Sequence, residues 1–132
     1  MLEIRREVDL DYLELLLLAY NREGLPINTL LTTNFNLITD QYIVYKDNLR
    51  VGCAWLAAYN GDTILGGHIQ PGSTATIYDY ISTITFMMKL HKDIYFLCFP
   101  HEKYAIIVAQ RLNMNLLHED KDILVYRGFM DG

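Results

Sequence analysis

The residues best suited to chemistry lie in a short turn of small and polar side chains. It reads Gln70-Pro71-Gly72-Ser73-Thr74-Ala75 and joins a strand-like stretch ending at Ile69 to a helix-like stretch beginning near Thr74. The N–H groups of a helix's first turn have no partner within the helix, and with the helix dipole they attract phosphate groups. The pattern predicts a site for a pyrophosphate, and the alternative is that the turn merely connects two elements.

Other residue groups with chemical potential are weaker. Cys98 is followed closely by His101, but it ends an apolar run, where a thiol is a poor nucleophile. His118-Glu119-Asp120 falls in a stretch typical of a polar hairpin turn, so we interpret it as solvated charge and expect no metal. The chain has no Gly-x-Ser-x-Gly, no phosphate-loop lysine motif and no dinucleotide fingerprint.

Length and composition limit the class of protein to which the chain can belong. The chain has 132 residues, the size of one domain, and we assign residues 1–132 to a single one. Hydrophobic residues make up 52% of it, enough for a core, whereas the net charge of −5 argues against a nucleic-acid partner. Cys53 and Cys98 lie in apolar strand-like runs, so we expect buried thiols rather than a disulfide.

The sequence also suggests where the protein works. Its N-terminus, Met-Leu-Glu-Ile-Arg-Arg-Glu, is charged and lacks the apolar core of a signal peptide. The longest apolar run, Leu15 to Tyr20, is far too short to span a bilayer. We expect a soluble, cytoplasmic protein with no membrane partner, located in the host cytoplasm or the virion if the chain is viral.

Hydrophobic spacing predicts the elements that position the turn. We expect a strand over 2–8, a helix over 10–22 with Asp9 as its N-cap, and a short helix within 28–37. Strands follow over 42–45, 51–59 and 63–69, with a hairpin turn at Asn60-Gly61. Gly66-Gly67 inside the third of these suggests a bulge or a close backbone approach.

The C-terminal half alternates helices and strands. We expect a helix over 74–91, a buried strand over 94–99, a helix over 103–112, and a hairpin over 116–126 whose turn is 118–122. A central antiparallel meander followed by a strand–helix–strand unit predicts an α+β protein with helices packed on a mixed sheet.

This order of elements resembles that of the GCN5-related N-acetyltransferase (GNAT) superfamily. The resemblance implies a central sheet of about six or seven strands with helices on both faces. In that family the turn after the fourth strand reads Gln/Arg-x-x-Gly-x-Gly/Ala and holds the pyrophosphate of acetyl-CoA; here Gln70 and Ala75 match, and Ser73 replaces a glycine. The residues implied in cofactor binding are Ile69, Gln70, Gly72, Ser73, Thr74 and Ala75.

A second family signature is largely lost. It reads Asn-x-x-Ala-x-x-x-Tyr-x-x-x-Gly-Phe, and of the aligned residues only Ala105 matches. The tyrosine that commonly protonates the leaving thiolate falls at Ala109, which cannot donate a proton. Tyr104 could substitute for it only if the helix is rotated.

The resemblance implies acyl transfer to the amine of a small molecule or a protein. Acetyl-CoA would enter where the fourth and fifth strands separate, with its thioester against N–H groups near Gly67 to Ile69. His68 or Glu102 would serve as the base, with His101 as an alternative to Glu102.

The lost signatures favour rival hypotheses. Short, divergent members of this fold occur among bacteriophage proteins, and the chain resembles one that keeps the fold as a binding or structural protein. Side chains would then fill the cleft, with Tyr78, Tyr104 and Phe99 as the expected plugs. A homodimer that pairs through the aromatic strands around Trp55 is the other alternative.

Overall fold

The computed structural model of the protein describes residues 1–22, 38–59, 61–98, 100, 102–121 and 123–129. Their elements are, in chain order, β1 (Leu2–Arg6), α1 (Leu10–Arg22), β2 (Ile38–Lys46), β3 (Leu49–Tyr59), β4 (Asp62–Ile69), α2 (Ile77–Leu90), β5 (Asp93–Cys98), α3 (Lys103–Arg111), β6 (Asn115–Glu119) and β7 (Leu124–Phe129). Among these described helices, none is long and apolar enough to cross a membrane.

Within this part of the chain, seven strands form one sheet in the order β1-β2-β3-β4-β5-β7-β6. β4 and β5 run parallel, and the other neighbouring strands are antiparallel. α1 packs on one face, and α2 and α3 pack on the other. The predicted α+β fold, with a mixed sheet and helices on both faces, is confirmed.

Alternating side chains of the strands supply the two cores. Under α1, Trp55 of β3 packs with Leu13 and Leu16. On the opposite face, Phe96 of β5 packs with apolar residues of α2 and α3. Because successive side chains of a strand point to opposite faces, a sheet with helices on both sides buries nearly continuous apolar strands.

The glycine pair in β4 makes no bulge. The register with β3 is regular there, since Trp55 lies opposite Gly66 and Ala54 opposite Gly67. The close approach comes from a side chain instead, because a Cβ on Gly66 would lie 1.9 Å from the indole of Trp55. Gly66 therefore lets the strand pass directly beneath a large aromatic ring.

The N-terminal elements can be compared with those predicted from the sequence. α1 spans the predicted residues, and the side chain of Asp9 accepts a hydrogen bond from the N–H of Tyr12 at 3.0 Å, as expected of its N-cap. β1 ends at Arg6, two residues before the predicted end. The helix predicted within 28–37 lies outside the described residues.

The predicted turn at 118–122 is wrong in its first half. β6 continues through Glu119, with a register shift between Leu116 and His118. The chain reverses at Asp120, whose carboxylate accepts a hydrogen bond from the N–H of Ile123 at 2.9 Å. The turn was predicted too early because it was inferred from polar side chains alone, and an exposed edge strand also tolerates such side chains.

α2 begins three residues later than predicted, at Ile77. Thr76 is its N-cap: its hydroxyl accepts from the N–H of Asp79 at 3.3 Å, and the carboxylate of Asp79 accepts from the N–H of Thr76 at 2.9 Å. This capping box satisfies two backbone donors at the start of the helix. Ser73 to Ala75 consequently lie in the turn and not in the helix.

Replacing Thr76 with alanine should lower the free energy of unfolding by about 1 kcal/mol, because half of the capping box is lost. Urea denaturation of the purified variant measures this change. Thr74→Ala is the matched control, since the Thr74 side chain makes no hydrogen bond within the described residues. Equal stability of the two variants would contradict the role assigned to the cap.

Candidate functional site

β4 and β5 separate toward their C-terminal ends. They are paired only at Ile64 with Tyr95 and Leu65 with Phe96, although β4 continues to Ile69 and β5 to Cys98. We call the space between residues 66–69 of β4 and residues 97–98 of β5 the β4–β5 gap. Along this gap β5 does not pair with residues 66–69 of β4.

The register of β4 fixes which backbone groups face the gap. The N–H of Gln70 donates to the carbonyl of Val51 on β3 at 2.8 Å. Residues alternate in an antiparallel ladder, so Gly67 and Ile69 turn their N–H and C=O groups away from β3, toward the gap. This edge suits an extended ligand that carries amide groups.

Internal hydrogen bonds use several donors of the turn at 70–76. The N–H of Ser73 donates to the carbonyl of Gln70 at 3.1 Å, and the N–H of Ala75 donates to the hydroxyl of Ser73 at 3.4 Å. The N–H groups of Gly72 and Thr74 make no hydrogen bond within the described part of the chain. Gly72 has a φ of +78°, a conformation that a residue with a Cβ rarely adopts.

A charge pair stands at the start of α2. The ammonium of Lys46 donates to the carbonyl of Thr74 at 2.9 Å and to the carboxylate of Asp79 at 2.8 Å. Burial alone would raise the pKa of Asp79, but the Lys46 ammonium and the Thr76 N–H outweigh it and hold that pKa below its ordinary value. Lys46 therefore places a cation against the turn and offsets a fixed carboxylate there.

The side chain of Gln70 is hydrogen-bonded on the face of the sheet that α1 covers. Its side-chain oxygen accepts a hydrogen bond from the hydroxyl of Tyr12 at 2.7 Å. Burial raises the pKa of Tyr12 to about 12, so its phenol stays protonated at neutral pH. Arg50 lies over the Tyr12 ring and binds the carboxylates of Glu7 and Asp9 at 2.7 Å each. Gln70 thus joins the turn to a polar network under α1.

His68 is held beside Trp55. The indole N–H of Trp55 donates to Nε2 of His68 at 3.1 Å, which requires a neutral imidazole with its proton on Nδ1. Burial lowers the pKa of His68 to about 4. The imidazole is neutral at pH 7, but with so low a pKa it is a weak base.

Glu102 and Cys98 stand at the β5 side of the gap. Glu102 precedes α3 and makes no side-chain cap to that helix. Burial, with the Glu102 carboxylate as a smaller cause, raises the pKa of Cys98 to about 12, which keeps the thiol protonated and unreactive. Because β4 and β5 are parallel, Glu102 and the turn lie at the same end of the sheet. His101 lies outside the described residues.

Tyr80 of α2 also contacts the β4 strand at the site. The buried hydroxyl of Tyr80 donates to the carbonyl of Gly67 at 3.0 Å. No local pattern could reveal this contact, because it joins residues of different elements. Of the expected plugs, Tyr78 and Tyr104 are exposed and do not fill the cleft, and Phe99 lies outside the described residues. Ala109 is fully buried in the core.

A small cavity lies beneath the first half of α2, next to Gly67. Its volume is about 20 Å³, which admits one water molecule or a group of that size. Its lining includes Val44, Val51, Gly67, Ile69, Tyr80 and Thr83. Tyr80 therefore borders open space as well as packed side chains.

Other expectations from the sequence concern metal binding, the cysteines and a homodimer. The described residues contain no group of three or more metal-binding side chains, and His118 binds Asp120 at 2.8 Å on the surface. Cys53 and Cys98 are buried free thiols, as predicted. Trp55, around which the sequence suggested an intersubunit face, is itself 1% exposed, and the homodimer stays a hypothesis.

Solved structures share this architecture. The N-acetyltransferase PseH of Campylobacter jejuni, solved with acetyl coenzyme A, has a TM-score of 0.63 and 12% identity, covering 99% of this chain and 100% of that one. RimL, a ribosomal L7/L12 alpha-N-protein acetyltransferase, gives 0.66 and 14%, covering 98% and 90%. The Salmonella typhimurium acetyltransferase that modifies the N-terminal serine of L7/L12 gives 0.61 and 13%, covering 98% and 95%.

No protein-family model and no curated protein matches the sequence. The likeness therefore concerns the backbone: a mixed seven-stranded sheet with a parallel β4–β5 pair and helices on both faces, matched over nearly the whole chain. The chain has the fold of the GCN5-related N-acetyltransferases.

Proposed function

We propose that the protein is an acetyl-CoA-dependent N-acetyltransferase. The observation that carries the proposal is the β4–β5 gap, which opens beside a turn with two unused N–H groups and a lysine. An extended thioester cofactor with an anionic end requires this combination. The solved structures of the same fold include one that contains acetyl coenzyme A.

The residues fit the cofactor in two parts. The pantetheine amides suit the edge of β4 at Gly67 and Ile69, whose backbone groups face the gap. The pyrophosphate suits the N–H groups of Gly72 and Thr74 together with the Lys46 ammonium. Asp79 opposes an anion at this point, and Lys46 is the group that offsets it. When bound, acetyl-CoA supplies an activated acyl group.

The acceptor in this proposal is an amine of a small molecule or a protein. Related structures act on amino groups, such as the N-terminal serine of L7/L12. The net charge of −5 favours a cationic acceptor and disfavours nucleic acid. We assign the base to Glu102 before His68, because the low pKa and the Trp55 hydrogen bond weaken His68 as a proton acceptor. We place the protein in the cytoplasm, where acetyl-CoA is available.

A second candidate is a non-catalytic binding protein on the same fold, for example a phage-encoded one. Two observations favour it: Tyr80 already donates to the Gly67 carbonyl, and the capping box uses the N–H of Thr76 at the end of the turn. In this case the chain recognises a protein partner, or a second copy of itself, and needs no cofactor.

Calorimetric titration with acetyl-CoA and with CoA tests the first proposal. We expect micromolar binding by the wild-type protein and at least about tenfold weaker binding by Lys46→Met, because a charge-assisted contact to phosphate is lost. Lys92→Met is the control, since it removes the same charge from an exposed residue that lies two positions beyond the C-terminal end of α2.

The outcomes separate the two candidates. Binding that Lys46→Met weakens and Lys92→Met leaves unchanged supports the turn as the phosphate site. No binding by a protein whose circular dichroism shows it to be folded would overturn the transferase and favour the binding protein. Equal weakening by both lysine variants would indicate a general charge effect and would contradict the assigned site.

A further inference from the structure

Three hydrogen bonds fix Gln70 at the base of the turn. Its N–H donates to the carbonyl of Val51 at 2.8 Å, and its carbonyl accepts from the N–H of Ser73 at 3.1 Å. Its side-chain oxygen accepts from the hydroxyl of Tyr12 at 2.7 Å. The first two bonds use backbone groups alone. The third is the one that depends on side chains, and it joins the turn to α1.

The bond between Ser73 and Gln70 closes a type II β-turn. Pro71 occupies its second position, where the ring fixes φ, and Gly72 occupies its third, with the positive φ of +78° that this turn requires. Because both central residues are conformationally restricted, a tilt of Gln70 carries the N–H of Gly72 with it. The direction of that donor therefore depends on what holds Gln70.

The far end of the turn is anchored separately. The Lys46 ammonium donates to the carbonyl of Thr74 at 2.9 Å, and the capping box fixes Thr76. The two N–H groups proposed for the pyrophosphate, those of Gly72 and Thr74, thus lie between two anchors. At the near end, Tyr12 supplies the one side-chain hydrogen bond that the turn receives within the part of the chain that the structure describes.

Tyr12 is itself held in place independently of the turn. Its side chain is 7% exposed, and the Asp9 carboxylate accepts its N–H at 3.0 Å. The guanidinium carbon of Arg50 lies 5.0 Å from the centre of its ring, and the same guanidinium binds Asp9 at 2.7 Å. Burial raises the pKa of Tyr12 to about 12, so its hydroxyl keeps the proton that it donates. The phenol is therefore a fixed donor.

We propose that Tyr12 is a positioning residue for the cofactor, which holds Gln70 so that the N–H groups of Gly72 and Thr74 converge on the pyrophosphate. The inference deepens the proposed function and rests on it. Its physical basis is preorganisation, since a turn that is already ordered loses less conformational entropy when an anion binds. Tyr12 acts through Gln70, and so on affinity for the cofactor rather than on the chemical step.

Calorimetric titration with acetyl-CoA tests the inference. For Tyr12→Phe we expect a Kd about fivefold higher than that of the wild type, as the loss of one ordering hydrogen bond allows. Tyr45→Phe is the matched control, because its hydroxyl donates to Glu7 at 2.7 Å, and Arg50 binds the same carboxylate. It belongs to the same polar network, but none of its described hydrogen bonds goes to the turn. Its Kd should stay within about twofold of wild type.

A truncated donor separates positioning from a general loss of structure. S-acetyl-N-acetylcysteamine carries the thioester but no phosphate, so it makes no use of the turn. In thiol-release assays with hydroxylamine as a generic acceptor, Tyr12→Phe should raise KM for acetyl-CoA about fivefold and leave kcat within about twofold of wild type. Its kcat/KM for the truncated donor should also stay within about twofold. A damaged structure would lower transfer from both donors.

A double-mutant cycle tests whether Tyr12 acts through Gln70. Gln70→Met removes the carboxamide with little change in size, and we expect it to raise the Kd for acetyl-CoA by about the same factor. Adding Tyr12→Phe to it should cause no further change, because the partner is already absent. Additive effects of the two substitutions would overturn the assigned route.

Each contrary outcome decides against a specific claim. A Kd of Tyr12→Phe equal to that of the wild type would overturn the positioning role while leaving the transferase intact. Equal weakening by Tyr12→Phe and Tyr45→Phe would assign the effect to the network under α1 as a whole, and would also overturn it. No binding of acetyl-CoA by the folded wild-type protein would overturn the proposed function and with it this inference.

Discussion

Alanine at position 66 should lower the free energy of unfolding by about 3 kcal/mol or prevent folding altogether. Its Cβ would lie 1.9 Å from Cζ2 and 2.2 Å from Cε2 of Trp55, closer than any real contact. The ring cannot move aside cheaply, because it is 1% exposed and its N–H is bound to His68. The strand or the ring must therefore shift.

Urea denaturation measures this effect, and the next residue supplies the control. A Cβ on Gly67 would lie 3.3 Å from the Tyr80 hydroxyl, an end that can shift by a few tenths of an ångström. Gly67→Ala should change stability by less than about 1 kcal/mol. A second test is rescue: Gly66→Ala should cost less in a Trp55→Phe background, since the smaller ring leaves room. Equal effects of the two glycine variants would contradict this account of the pair.

The glycine pair shows what sequence could and could not predict. A glycine inside an apolar strand indicates that something approaches closely. The identity of the approaching group depends on the register between β3 and β4. That register places Trp55 opposite Gly66. Side-chain patterns predicted both strands correctly, but pairing is a non-local property. The glycine pair suggested a bulge or a close backbone approach, whereas the group that approaches Gly66 is the Trp55 side chain.

The start of α2 carried a local signal that was missed. Thr76-x-x-Asp79 is a capping pattern, and it sets the helix start three residues after the predicted one. The earlier Ser73 and Thr74 are also good N-cap residues, so residue type alone did not decide between them. The reciprocal Asp79 bond decides it, and it leaves Gly72 and Thr74 as the donors of the turn.

Most of the site depends on contacts between distant elements. Gln41 is fully buried in β2, where it donates to the carbonyl of Asp9 and accepts from its N–H. The bonds of Tyr80 to Gly67 and of Lys46 to Asp79 likewise join separate elements. The resemblance to a known fold led to the proposed position of the site. It could not predict these partners, because a likeness of backbone does not specify which side chains meet.

Protein stability should fall as the pH drops from 6.5 to 4, by about 3 kcal/mol from His68 alone. The pKa of its imidazole is about 4 in the folded protein against an ordinary 6.5. Between these values the unfolded chain binds more protons, so acid favours unfolding; above 6.5 the full stability is present, and below 4 this group adds no further loss. Urea denaturation at pH 7, 6, 5 and 4.5 measures the slope.

His68→Gln is the comparison that isolates the imidazole. Glutamine keeps an oxygen that can accept from the Trp55 N–H, but it does not titrate. The carboxylates with lowered pKa values, such as Asp9 and Asp79, titrate in both proteins, so the difference between the two cancels them. We expect the wild type to lose stability relative to the variant as the pH falls. Parallel pH profiles would mean that His68 is protonated as easily in the folded protein as in the unfolded chain. It would then be basic enough at neutral pH to compete with Glu102 for the acceptor's proton.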